Sequence, residues 1–84
     1  MVTVRWRRSA RDELATRWLN ADSALRKAIT VATHQIEKDL SKNPETKGES
    51  RPNDRRIYFH APLGVLFKVN TDKATVMILH IWDY

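Results

Sequence analysis

With 84 residues, the chain has enough length for one domain, residues 1–84, and too little for a second core. It carries a formal net charge of +5 and no cysteine, which excludes disulfide staples, thiolate metal ligands and cysteine nucleophiles. The opening MVTVRWRRSARDE turns charged too early for a signal peptide and no apolar run nears membrane-spanning length, so a soluble, cytoplasmic protein is expected. A chain this short buries only roughly 60–65% of its unfolded surface, and per-residue scaling gives a stability of about 4–12 kcal/mol. The excess charge is uneven: residues 1–21 hold five Arg against Asp12 and Glu13. A basic surface suits RNA, DNA or an acidic protein segment, or serves solubility alone.

In VTVRWRR, Val2, Val4 and Trp6 alternate with Thr3, Arg5 and Arg7, the period of a strand. Ser9 stands at an N-cap position with Asp12 three residues on, and Ala10, Leu14, Trp18 and Ala21 recur at helical spacing, so a short amphipathic helix is expected up to Asn20. Asp22 or Ser23 caps a second helix. Its stripe of Leu25, Ala28, Ile29, Ala32, Ile36 and Leu40 is the most regular pattern in the chain. Asn43-Pro44 stops it, because proline pushes the preceding residue out of helical geometry. The tight junction at Asn20–Asp22 predicts an antiparallel helical hairpin, with the large apolar residues, Trp6 and Trp18 included, in the core.

NPETKGESRPND reads as an exposed loop. Three strands follow, Arg55–His60, Leu63–Val69 and Thr75–Trp82, joined by turn chemistry at Ala61-Pro62 and Asn70–Lys73. The fold class is therefore α+β with order β-α-α-β-β-β: an antiparallel meander, a helical hairpin packed on one face, and the first strand joining the edge beside the last. Strict alternation puts Val65, Phe67 and Val69 opposite Gly64, Leu66 and Lys68. In the last strand it sets Val76, Ile78, His80 and Trp82 against Met77, Leu79 and Ile81. Both faces are apolar, and two helices cover one. The other face is then a partner surface, unless the tail or long loop folds over it.

The succession VRWRRSARDELA, IEKDLSKNP, KGESR, DRRIYF, LGVLFKV and VMILHIW resembles, over essentially the whole chain, the RelE/ParE family of type II toxin–antitoxin toxins. The RRI run and the ending on Tyr84 are similar to the short toxins of the YoeB type. The resemblance implies a growth-inhibiting toxin held by a cognate antitoxin protein that wraps it, with no cofactor. It implies one of two targets: mRNA in the ribosome, cut by the RelE-like branch, or DNA gyrase, inhibited without nuclease chemistry by the ParE-like branch. RelE-like nucleases commonly place Arg at the head of the third strand, where this chain has Gly64. A family member without toxicity, acting as a binding module, is the remaining alternative.

RNA cleavage through the 2′-hydroxyl needs a base, an acid and cations for the phosphate. Arg55 and Arg56 are candidate phosphate-gripping residues, since neighbours on a strand point to opposite faces and one must reach the open side; ion pairing with Asp54, Asp83 or an antitoxin carboxylate is the structural alternative. Lys68 is either a phosphate contact or a deterrent to sheet aggregation. His60 and His80 are candidate acids or bases, or plain hydrogen-bonding groups. Arg5, Arg7, Arg8 and Arg11 form either a phosphate-tracking patch, joined by Lys42, Lys47 and Arg51, or a solvated charged face. Tyr84, by the resemblance, would position RNA or donate a proton; otherwise it is a frayed terminus. The candidate site is thus Arg55, Arg56, His80 and Tyr84 for catalysis and Arg7, Arg8, His60 and Lys68 for binding. No metal-ligand spacing is present.

Overall fold

A computed structural model of the chain describes residues 2–84. Strand β1 (Thr3–Trp6) leads into helix α1 (Arg8–Asn20) and helix α2 (Ser23–Leu40). Strands β2 (Glu49–Arg51), β3 (Arg55–His60), β4 (Leu63–Asn70) and β5 (Thr75–Asp83) follow. They form one sheet in the order β1-β5-β4-β3-β2, with β1 parallel to β5 and every other pair antiparallel. The first strand therefore joins beside the last, as expected.

The long loop differs from expectation. It contains a 3-10 turn at Pro44–Thr46 and the short strand β2, so the meander gains an edge strand. Left-handed backbone at Gly48, Asn53 and Asp54 folds it. Gly48 is obligatory, because a Cβ there would lie 1.8 Å from the Ile57 carbonyl oxygen. Helix α1 begins one residue before the expected cap, with Arg7 at the N-cap and no side-chain capping bond. Asp22 does cap α2, accepting from the Leu25 amide at 2.8 Å.

The core lies between α2, the start of α1 and one sheet face. Ile36 and Leu40 from α2 and Leu63, Val65, Phe67, Val76 and Ile78 from the sheet have no exposed surface. From α1 only Ala10 is buried. Trp18, expected in the core, is 40% exposed. Its ring is covered by Arg26, whose guanidinium carbon sits 4.6 Å from the ring centroid and which also donates to the carbonyls of Trp18 and Leu19. Trp18 thus packs at the corner of the hairpin rather than in the core. Two polar ties fasten α2 to the sheet: Trp6 Nε1 donates to Glu37 at 2.9 Å, and the Tyr58 hydroxyl donates to Asp39 at 2.6 Å.

One irregularity positions the site. Between β4 and β5 the register runs Leu66↔His80 and then Phe67↔Ile78, which leaves Leu79 as an extra residue. This is a β-bulge. Strict alternation would have kept His80 and Trp82 with Val76 and Ile78. The bulge instead turns His80 and Trp82 to the open face and Ile81 into the core, where it is 2% exposed.

Candidate functional site

The open face is built from the outward residues of all five strands. At its far end Trp82 lies across Gly64. A Cβ added at Gly64 would stand 2.5 Å from the indole nitrogen, so any side chain there would displace the ring. Phe59 meets Trp82 edge-on at 6.1 Å and stacks with Tyr84 at 4.4 Å. The Tyr84 amide donates to the Pro62 carbonyl, and the preceding Asp83 accepts from Arg17 at 3.0 Å. Tyr84 is therefore docked rather than frayed. The tail covers the sheet only here. The rest of the face remains open over Leu66, Met77, Lys68 and Arg55, and a basin of about 860 Å³ at its near end is lined by Arg5, Lys68, Met77 and Leu79 and, from the β4–β5 turn, by Asp72 and Lys73.

His80 stands between two groups from the start of the chain. The Arg7 amide donates to the Ile78 carbonyl, which extends the β1–β5 ladder and brings its guanidinium 3.3 Å from His80 Nε2. Arginine can only donate, so Nε2 accepts and the ring proton of the neutral imidazole sits on Nδ1. That nitrogen faces Glu13 Oε1 at 3.8 Å. The same oxygen is buried and has no hydrogen-bond partner among the described residues. A carboxylate, an imidazole and a guanidinium thus converge from α1, β5 and the β1–α1 junction.

The other candidates separate. Arg55 is exposed on the open face, directly across from Lys68. Arg56 points to the other side, where it donates to the carbonyls of Lys47 and Gly48 at 2.7 and 3.0 Å and anchors the long loop. His60 ends β3 on the helix side, contacts the Ala61 carbonyl and is remote in the register from His80. The arginines clustered in sequence also disperse. Arg5 goes to the open face, Arg7 to His80 and Arg11 to a groove between the helices, while Arg8 is exposed with no ion pair among the described residues.

Asp39 and Tyr58 lie on the helix side. Burial pushes the Asp39 carboxyl up, but hydrogen bonds from Tyr58 and Gln35 and the positive field of His60 and Lys47 outweigh it and hold it below its ordinary value. The hydrogen bond to Asp39, then burial and that carboxylate's charge, push Tyr58 up to about 12. This locks the pair in its ionised-acceptor, protonated-donor form as a structural tie.

Sequence reasoning missed Glu13, Phe59 and the bulge. Arg7 and His80 are 73 residues apart, and no spacing signal links Glu13 to either. Phe59 was legible only as a strand aromatic.

No protein-family model matches the chain, and no curated protein does. Solved structures do. The toxin–antitoxin complex RelBE2 of Mycobacterium tuberculosis contains a chain that superposes with a TM-score of 0.73 at 21% identity, over 100% of this chain and 94% of that one. The chromosomal ParDE toxin–antitoxin system of P. aeruginosa gives a TM-score of 0.79 at 22% identity, over 99% and 96%. The intact E. coli RelBE complex gives 0.67 at 11%, over 100% and 98%. Each match runs from end to end of the chain, and the helical hairpin on a five-stranded sheet described above is the fold of the RelE/ParE toxins.

Proposed function

We propose that the protein is the toxin of a type II toxin–antitoxin pair and that it cleaves RNA on the open sheet face. The observation that carries the catalytic reading is His80, held between Arg7 and Glu13 on a face that also presents Arg5, Lys68 and Arg55. In this reading His80 Nε2 takes the proton of a ribose 2′-hydroxyl while the 2′-oxygen attacks the adjacent phosphorus. The bond from phosphorus to the 5′-oxygen breaks, and that oxygen recovers the proton from the imidazolium. The products are a 2′,3′-cyclic phosphate and a 5′-hydroxyl end. Glu13 orients the ring and stabilises its charged form; Arg7 moves from Nε2 to the phosphate, where charge builds in the transition state. An antitoxin of acidic character complements the +5 chain and would cover the apolar groove of about 420 Å³ between α1 and α2, where Trp18 and Leu19 are exposed.

The test is mRNA from translating ribosomes given purified protein. New 5′-hydroxyl ends are expected, with His80→Ala reducing their rate roughly 10²–10⁴-fold and Glu13→Gln reducing it less. Arrested growth with intact mRNA would remove the nuclease reading. The second reading is non-enzymatic inhibition of DNA gyrase, and the specific observation behind it is Gly64 beneath Trp82, which leaves no room for an arginine at that point. Loss of gyrase supercoiling at saturating protein supports it, and unchanged supercoiling removes it.

A further inference from the structure

The helical hairpin does not close along its length. Trp18 stands against Arg26 at the turn end. Beyond it the positions lining the space between the helices carry small side chains, Ala15 on α1 and Thr30 and Thr33 on α2. A groove of about 420 Å³ remains, a volume within the range of small-ligand pockets. Its apolar wall is Leu14, Ala15, Trp18, Leu19 and Ile29. The two threonines add little polarity, because each hydroxyl donates back to its own helix. Thr30 donates to the Arg26 carbonyl at 3.0 Å and Thr33 to the Ile29 carbonyl at 2.8 Å.

The remaining lining groups, Arg11 and His34, meet at the other end. The helices run antiparallel, so Arg11, two turns before Trp18, comes level with His34, about two turns beyond Arg26. Two turns place this end about 10 Å from Trp18 along the helix. Arg11 has no ion pair, and no carboxylate lines the groove, among the described residues. The groove is thus polarised, with a cationic mouth, an apolar length and an indole at the far end. An anion in that mouth accepts from a guanidinium and from an imidazole N–H, and bonds to an ionised group are the strong ones.

We propose that this groove binds a small amphiphilic carboxylate, of the medium-chain or aryl-alkyl class. The head accepts from Arg11 and His34, and the apolar body lies along Leu14 and Leu19 towards Trp18. The site is independent of the toxin reading and of any chemistry at His80. An amine of the same length would set its charge against Arg11, and a neutral alcohol would lack the charge that strengthens the bonds at the mouth. A second copy of the chain is disfavoured, because it brings another +5 molecule to a cationic mouth. The ligand occupies the groove of the free protein; an antitoxin laid over the hairpin would displace it.

The test is an NMR titration of the isotope-labelled full chain with octanoate, octanol and octylamine. Octanoate should shift the amides of α1 and α2 that line the groove and leave those of Lys68, Arg55 and Met77 on the open face unmoved. Octanol should bind at least about tenfold more weakly, and octylamine should not bind. Arg11→Gln should weaken octanoate about tenfold and bring it level with octanol. Ala15→Trp fills the groove and should abolish binding, with a thermal melt to confirm that the variant is folded; Arg11→Gln decides the matter if it is not. Equal binding of all three probes, shifts centred on Lys68 and Arg55, or an octanoate affinity indifferent to Arg11 would overturn the proposal. So would self-association through the hairpin with no uptake of octanoate. A glutamate-rich amphipathic peptide that fills the groove where octanoate fails would assign it to a protein partner and overturn the proposal equally. None of these readouts depends on growth arrest, so the toxin reading and this one fail separately.

Discussion

The two faces of the sheet are made from the same strands and behave as different materials. On the helix side, Leu63, Val65, Phe67, Val76 and Ile78 have lost all contact with water. On the open side, between the same backbone atoms, stand Lys68, Arg55, Met77 and His80, all exposed except where Trp82 caps Gly64. The comparison teaches that burial and exposed charge are divided by side of the sheet rather than by region of the chain. Alternate residues of one strand therefore answer to different pressures.

Substitutions on the two sides should differ in size and then in sign. Phe67→Ala removes the largest fully buried side chain and should cost about 3–5 kcal/mol. Set against a total of about 4–12 kcal/mol, that leaves the variant partly or wholly unfolded by urea titration or circular dichroism. An equally stable variant would mean that the helix face is not where the fold is held. Gly64→Ala, on the opposite side, pushes a methyl into the Trp82 indole. Overpacking should cost about 1–3 kcal/mol, with tryptophan fluorescence reporting the displaced ring, and an unaltered spectrum would contradict the contact.

Tyr58→Phe tests the polar tie on the helix side and should cost about 1 kcal/mol, at the low end for a half-exposed bond to a charged group. Its pH signature is more specific. The folded Tyr58 hydroxyl titrates at about 12 whereas an unfolded tyrosine ionises near 10. The stabilisation is therefore complete below about pH 10 and disappears as pH rises towards 12. The Asp39 carboxyl is lowered by folding, so its contribution is present above the ordinary carboxyl range and disappears as pH falls through the folded value. Tyr58→Phe should abolish the alkaline decline and weaken the acid one. A variant that retains the full alkaline decline places its origin elsewhere.

The smallest effect should carry the opposite sign. Arg55→Ser relieves a like-charge neighbour across the strand pair and should leave stability unchanged or raise it by up to about 0.5 kcal/mol. The gain should shrink as salt screens the repulsion. A clear loss of stability would show that Arg55 belongs to the structural side after all, as Arg56 does.

Much of this molecule was legible before its coordinates. Of the expected α2 stripe, Ile29, Ala32, Ile36 and Leu40 are buried as the 3.6-residue spacing requires, whereas Leu25 and Ala28 in the first two turns are exposed; Asp22 caps α2, and the turn residues mark the strand ends. Each of these is local, set by propensity and period within a few residues. That β1 joins an edge of the meander followed from the order of elements, and the expected side, next to β5, is the one it takes. The candidate site was legible only as a set of residue types: of Arg55 and Arg56, the sequence could say that one faces outward, and not which.

The sequence by itself determined one α+β domain, its helices and meander strands, and a sheet apolar on both sides. The tertiary structure alone decided the bulge at Leu79, which turns His80 and Trp82 outward. It also decided the convergence of Arg7 and Glu13 on that histidine, and the placing of Arg5, Lys68 and Arg55 together on the open face. The physical reason is that strand register is a relation between distant segments, chosen by how whole strands pack. One inserted residue reverses every facing beyond it, and no periodicity within a single strand records that choice.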